Sequence, residues 1–138
     1  VPESASLLRV RYVETDQMGV VHHASYLSWL EVARTDYLRD RGISYRELEA
    51  RGFRLPVLGV EVRYLKPAMY DDEILVRARL ASAGGVRFTF EYDVERAADG
   101  QVLARGRTEH AATDHSGRPR RLPKELMHLI GGHLEAVD

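Results

Sequence analysis

From Glu14 to Gly42 the chain reads ETDQMGVVHHASYLSWLEVARTDYLRDRG, and this stretch decides the fold. Its first third is polar and contains Gly19, as a loop does. From Ala24-Ser25 onward, apolar side chains recur at three-to-four spacing, at Tyr26, Leu30, Ala33 and Tyr37, with Trp29 beside the stripe. That period predicts a helix. Ser25 is expected to cap its first amides and Gly42 to stop it, giving a rod roughly 24 Å long at about 1.5 Å per residue. Leu27, Trp29, Val32 and Leu38 spread the apolar surface further round the helix than a lone surface helix needs. The helix therefore belongs inside a curved sheet or against a partner subunit.

Working outward, LLRVRYV from Leu7 to Val13 alternates Leu8, Val10 and Tyr12 with Arg9 and Arg11, which predicts a strand with one wet face. The six residues before it are expected to form a tail. After the long helix, Tyr45 to Arg51 reads as a short second helix, with Ser44 and Glu47 as a capping box and Gly52 as its end. The period then changes to two. FRLPVLGVEVRYL (53–65), DDEILVRARLASA (71–83), VRFTFEYDVERAA (86–98) and QVLARGRTEHAAT (101–113) each predict a strand. Gly84-Gly85 and Ala98-Asp99-Gly100 supply turns, and Pro67, which has no amide to donate, separates the second strand from the third. Pro123 starts a last short helix through Leu129, stopped at Gly131-Gly132. Strand, long helix, short helix and four strands lack the repeated alternation of a doubly wound fold. They predict one α+β domain over residues 1–138, an antiparallel five-stranded sheet around a central helix, with short terminal tails.

The chain has 138 residues, 44% of them apolar and 30% charged, as in a water-soluble globular domain. Twenty Lys and Arg against 21 Asp and Glu give a formal charge of -1, which argues against nucleic-acid binding through a large basic surface. The absence of Cys excludes disulfide scaffolds, thiolate nucleophiles and cysteine-held zinc or iron–sulfur clusters. No apolar run approaches the roughly 18 residues of a membrane span, and Val1-Pro2-Glu3-Ser4 lacks the start of a secretory signal. A soluble cytoplasmic protein is the expectation.

Glu14, Asp16, His22 and His23 form the densest polar group, on the loop entering the long helix. Asp16 has two roles open to it: activating water or attacking an acyl carbon, or satisfying loop amides. His23 can orient a substrate or offer its backbone amide where the first helical amides concentrate positive charge, or simply cap the helix. His22 is open to the same two readings, and Glu14 is expected to pair with Arg11 or Arg9 on the wet face of the strand. A metal site is not expected: no H-x-x-x-H or H-E-x-x-H occurs, and His110, with Asp114 and His115, reads as a surface or cross-strand residue. Ser25 and Ser28 lie in no nucleophile elbow. Adjacent Asp71 and Asp72 point to opposite faces of a strand. Arg118, Arg120, Arg121 and Lys124 read as a solvated tail before a contact to ligand phosphates, and Tyr64, Tyr70, Phe88, Phe90 and Tyr92 as packing groups, a stripe that at a dimer seam could also line an acyl tunnel.

The run YVETDQMGVVHHASYLSWLEVAR from Tyr12 to Arg34 resembles the 4-hydroxybenzoyl-CoA thioesterase and YbgC-like group of hot dog-fold acyl-CoA thioesterases. The likeness continues through Gly42-Ile43-Ser44-Tyr45, Pro56-Val57, Tyr64-Leu65-Lys66-Pro67-Ala68 and Asp71-Asp72. What it implies is a hot dog domain whose subunits pair into dimers with interfacial active sites, and commonly into tetramers. The family's catalytic carboxylate falls on Asp16, as general base or nucleophile, and the amide that polarises the thioester carbonyl falls on His23. Gly19, Val20, Val21, His22 and Tyr26 fall at substrate-binding positions, His22 where related chains commonly carry an aromatic. Glu31 and Arg34 match the helix motif and are expected to pair, being three residues apart. Acyl-CoA is then the substrate, and neither cofactor nor metal is called for. An acyl carrier protein thioesterase, an acyl-CoA hydratase or dehydratase, and a non-catalytic acyl-CoA binding module are the alternatives.

Overall fold

A computed structural model describes residues 3–131. Strand β1 (Glu3–Arg9) is followed by helices α1 (Ser25–Asp40) and α2 (Tyr45–Ala50), then β2 (Val57–Tyr64), β3 (Glu73–Gly84), β4 (Arg87–Arg96), β5 (Val102–Ala111) and helix α3 (Lys124–Gly131). The strands form one sheet in the order β1-β3-β4-β5-β2, and every pairing is antiparallel. Helix α1 buries Tyr26, Trp29, Leu30, Ala33, Tyr37 and Leu38 in the same core as Ile74, Val76, Ala78 and Leu80 of β3 and Phe88, Phe90, Tyr92 and Val94 of β4. Each large side chain in that core contributes about 1.5–3 kcal/mol by leaving water. This is the expected hot dog arrangement of a five-stranded sheet wrapped on a central helix. No helix among the described residues is long and apolar enough to cross a membrane.

The stripe predicted for α1 is the face that is buried, and its 16 residues match the predicted length. Gly106 on β5 lets the helix come close: a Cβ there would stand 3.0 Å from Leu30 Cδ1. Leu27 and Val32 stay 44% and 43% exposed, so the sheet covers one side of α1 only. The Ser44–Glu47 capping box forms as predicted, with Glu47 N donating to Ser44 Oγ and Ser44 N to Glu47 Oε1.

Four expectations are corrected. Strand β1 begins at Glu3, so residues 3–6 are no tail; Glu3 pairs with Arg79 and Arg9 with Glu73. Its inward side chains at this end are Ser4 and Ser6, whose polarity hides them from a hydrophobic pattern, and Ser6 Oγ donates to Asp36 Oδ2 at 2.7 Å. The strand stops before Tyr12–Glu14, a single 3-10 turn that leaves Tyr12 and Val13 exposed. Ser25 does not cap α1; its hydroxyl donates to the Glu14 carbonyl. Helix α3 runs on to Gly131, where Tyr37 Oη donates to Ile130 O at 2.6 Å, and the predicted stop at Gly132 lies outside the described residues.

Candidate active site

The loop before α1 is a small hairpin. Thr15 and Val21 bridge antiparallel, Asp16 N donates to Val20 O at 2.8 Å and Gly19 N to Asp16 O at 3.2 Å. Gly19 turns it at φ +82°, a conformation that other residues adopt only at a cost. Val20 bridges Met69, and Val21 N donates to Ala68 O at 2.9 Å, which ties the hairpin to the segment after Pro67. Asp16 is exposed at the tip, its Oδ1 accepting from Met18 N at 2.7 Å. Its second carboxylate oxygen has no partner among the described residues.

Glu14 anchors the hairpin from below. Its carboxylate is buried, not on a wet strand face, and accepts from Arg11 N at 2.8 Å, Trp29 Nε1 at 2.9 Å and the Arg11 guanidinium at 3.3 Å. Burial pushes this carboxyl up, but the Arg11 amide, the Trp29 indole and the Arg11 charge together hold it below the usual range. The expected Arg11 partner is present; the Trp29 partner is new.

At the helix entrance, His22 N donates to Glu14 O, and His22 O accepts from Ser25 N at 2.9 Å. His22 Nδ1 accepts from Ala24 N at 3.2 Å, so the proton of the neutral ring sits on Nε2. The His22 and His23 rings stack at 4.3 Å. His23 O accepts from Tyr64 Oη at 2.9 Å and from Tyr26 N at 3.4 Å. The amides of His22, Ala24, Ser25 and Tyr26 are thus all taken, whereas the His23 amide has no acceptor among the described residues. It stands at the positive end of α1.

A depression of about 320 Å³ opens beside it, lined by Val20, Val21, His23, Tyr26, Tyr64, Leu65, Lys66 and Pro67. The Tyr64 ring meets Tyr26 edge-on at 4.9 Å, and burial raises the pKa of both phenols. Of the residues the sequence nominated, Val20, Val21, His23 and Tyr26 meet here. Gly19 and His22 shape the backbone behind them, and Asp16 sits on the adjoining hairpin with no bond to His23. Sequence reasoning missed Lys66 as a lining residue and placed Tyr64 first among packing groups, although both lie in the Tyr64–Ala68 motif.

A second cavity of about 160 Å³ lies between the later turns of α1 and β5, lined by Glu31, Arg34, Leu38, Leu55, Phe90 and His110 among others. The expected Glu31–Arg34 ion pair does not form among the described residues; the Arg34 charge lies instead near the Tyr92 phenol, where burial raises the pKa and Arg34 partly offsets the rise. His110 is buried rather than on the surface, with Nδ1 3.1 Å from Leu55 O and Nε2 2.7 Å from Thr108 Oγ1. A carbonyl only accepts, so Nδ1 carries the proton, Thr108 donates to Nε2, and Tyr92 Oη donates to Thr108 Oγ1 at 2.6 Å. Burial, with Arg34 nearby, lowers the pKa of His110. Elsewhere, Asp71 and Asp72 have separate arginine partners, Arg9 and Arg96. Arg120 is no solvated tail: its guanidinium lies over the Phe53 ring at 4.2 Å and donates to Gly52 O.

Similarity to known proteins agrees with this geometry. The chain is 32% identical over 121 residues to acyl-CoA thioester hydrolase YbgC of Escherichia coli O157:H7, covering 87% of this chain and 90% of YbgC. It is 35% identical over 107 residues to YneP of Bacillus subtilis, covering 78% and 77% of the two chains. The crystal structure of the hypothetical protein TT1821 from Thermus thermophilus matches with a TM-score of 0.87 at 39% identity, covering 92% of this chain and 96% of that one. Residues 10–130 match the model of the thioesterase-like superfamily, and the chain belongs to that family.

Proposed function

We propose that this protein hydrolyses acyl-CoA thioesters to a carboxylic acid and coenzyme A, with Asp16 as general base or nucleophile and the His23 amide as donor to the thioester oxygen. The observation that carries the reading is the His23 amide, left without an acceptor at the start of α1 beside an exposed carboxylate on the same hairpin. As water adds to the thioester, the carbonyl oxygen gains negative charge. A fixed amide at a helix start meets that charge without rearranging, and such a donor is worth about 2.7–4 kcal/mol to the transition state. Asp16 either takes the proton of the attacking water or attacks the carbonyl itself to form a mixed anhydride that water then cleaves. The balance is the same: R-CO-S-CoA and water give R-COOH and CoA-SH. YbgC, 32% identical, carries the name of an acyl-CoA thioester hydrolase, which supports the substrate class.

Val20, Val21 and Tyr26 form the apolar wall for the substrate, with Gly19 and His22 setting the backbone behind it. The working unit is a homodimer with its sites at the seam. Support comes from β2, an edge strand that leaves Leu58 and Val60 51% and 48% exposed. Such an edge invites pairing with a second copy.

Release of free thiol from short, medium, long and aromatic acyl-CoAs tests the proposal. Turnover proportional to enzyme on at least one class is expected; no turnover on any would overturn it.

A further inference from the structure

We propose that Tyr64 is a positioning residue for thioester hydrolysis, holding the His23 carbonyl from β2 so that the His23 amide faces the thioester oxygen. The inference rests on the role given to His23 above and adds a residue that acts through it. Its basis is a hydrogen bond across 41 positions of sequence, from Tyr64 Oη to His23 O at 2.9 Å.

His23 lies between two peptide planes. The first contains His22 O and the His23 amide, and is held by Ser25 N at 2.9 Å. The second contains His23 O, and inside the helix its only donor is Tyr26 N at the long distance of 3.4 Å. The same plane carries the Ala24 amide, which donates to His22 Nδ1 at 3.2 Å, so the phenol is the shortest of its three holds and the only one from outside the hairpin and helix. Without it the second plane keeps only the two longer bonds, and the His23 Cα, the hinge between the planes, loses its hold from the sheet; the His23 amide on the other side of that hinge is then fixed only by the Ser25 bond to His22 O.

Tyr64 is well placed to be rigid. Its backbone is paired with Ala104 of β5, and the next two amides, of Leu65 and Lys66, both donate to Leu103 O. Its ring stands nearly perpendicular to Tyr26 at 4.9 Å and to His23 at 6.5 Å, so swinging the phenol away sacrifices both edge contacts. A tyrosine serving only to pack, and 46% exposed, has no need to spend its hydroxyl on the first turn of a helix.

Tyr64→Phe keeps the ring and removes the hydroxyl. Steady-state thiol release should show kcat lowered about 5- to 20-fold with KM changed less than about twofold, smaller than the loss of an oxyanion donor itself. Thermal midpoint and oligomeric state should be unchanged. A second readout follows the carbonyl directly, by Raman difference spectroscopy of an acyl-CoA bound to Asp16→Asn. There the thioester stretch should lie below its solution frequency, and adding Tyr64→Phe should return it toward that frequency. A kcat within twofold of wild type, an unmoved carbonyl stretch, or a rise in KM that merely accompanies a lower thermal midpoint would overturn the proposal. If the wild-type protein releases no thiol, the hydrolase reading itself fails, a result distinct from an active wild type matched by an equally active Tyr64→Phe.

Discussion

Glu14 carries a carboxylate into the core because three donors meet it there, the Arg11 amide, the Arg11 guanidinium and the Trp29 indole. Removing the acceptor strands the indole and the amide without a partner. Glu14→Ala should therefore cost about 2–3 kcal/mol in denaturant unfolding, where a surface carboxylate would cost under about 0.5. A loss in the surface range would contradict the anchoring role. At this scale the sequence was readable where partners are near. Arg11 is three residues from Glu14, but Trp29 is 15 away and reaches it only because the helix turns back over the hairpin. Asp16 and His23 stood out in the densest polar group and gained their roles through family resemblance, whereas Tyr64 lies 41 residues from its carbonyl and read first as packing. His110 takes the cross-strand place that was one of its two readings, opposite Phe88, and is buried there rather than on the surface. Its spacing from Thr108, two along one strand and on the inward side, was the available signal.

Elements meet where side chains allow it, and the contact of α1 with β5 depends on Gly106 having none. Adding one methyl group there meets Leu30 Cδ1 at 3.0 Å and Tyr92 Cδ1 at 3.5 Å, all within a packed core. Gly106→Ala should lower stability by about 1–3 kcal/mol, read as a shift of the thermal midpoint. An unchanged or raised midpoint would mean that the helix has room to retreat. The periods of α1, β3, β4 and β5 were legible because large apolar side chains mark the buried face. Strand β1 was legible only in part, since its inward Ser4 and Ser6 carry no apolar signal. The cap of α1 was misread for a different reason: the first helical amides, of Ser25, Tyr26 and Leu27, donate to the carbonyls of His22, His23 and Ala24, and the Ser25 hydroxyl donates to Glu14 O instead.

Taken whole, the molecule leaves one edge of its sheet poorly protected. Strand β2 hydrogen-bonds only β5 among the described strands, and Val57, Leu58, Val60 and Tyr64 along it are each more than 40% exposed. A dimer built on this edge should be broken by charge. Leu58→Glu combined with Val60→Glu should shift sedimentation from dimer to monomer and reduce thioester hydrolysis with it, whereas an unaltered dimer would place the seam elsewhere. The central claim is tested most directly by Asp16→Asn, which replaces a proton acceptor and nucleophile with an amide of equal size. Measured by thiol release from the best acyl-CoA substrate, the variant should keep its fold and assembly and lose at least about 100-fold in turnover. Near wild-type turnover by the folded variant would contradict the account.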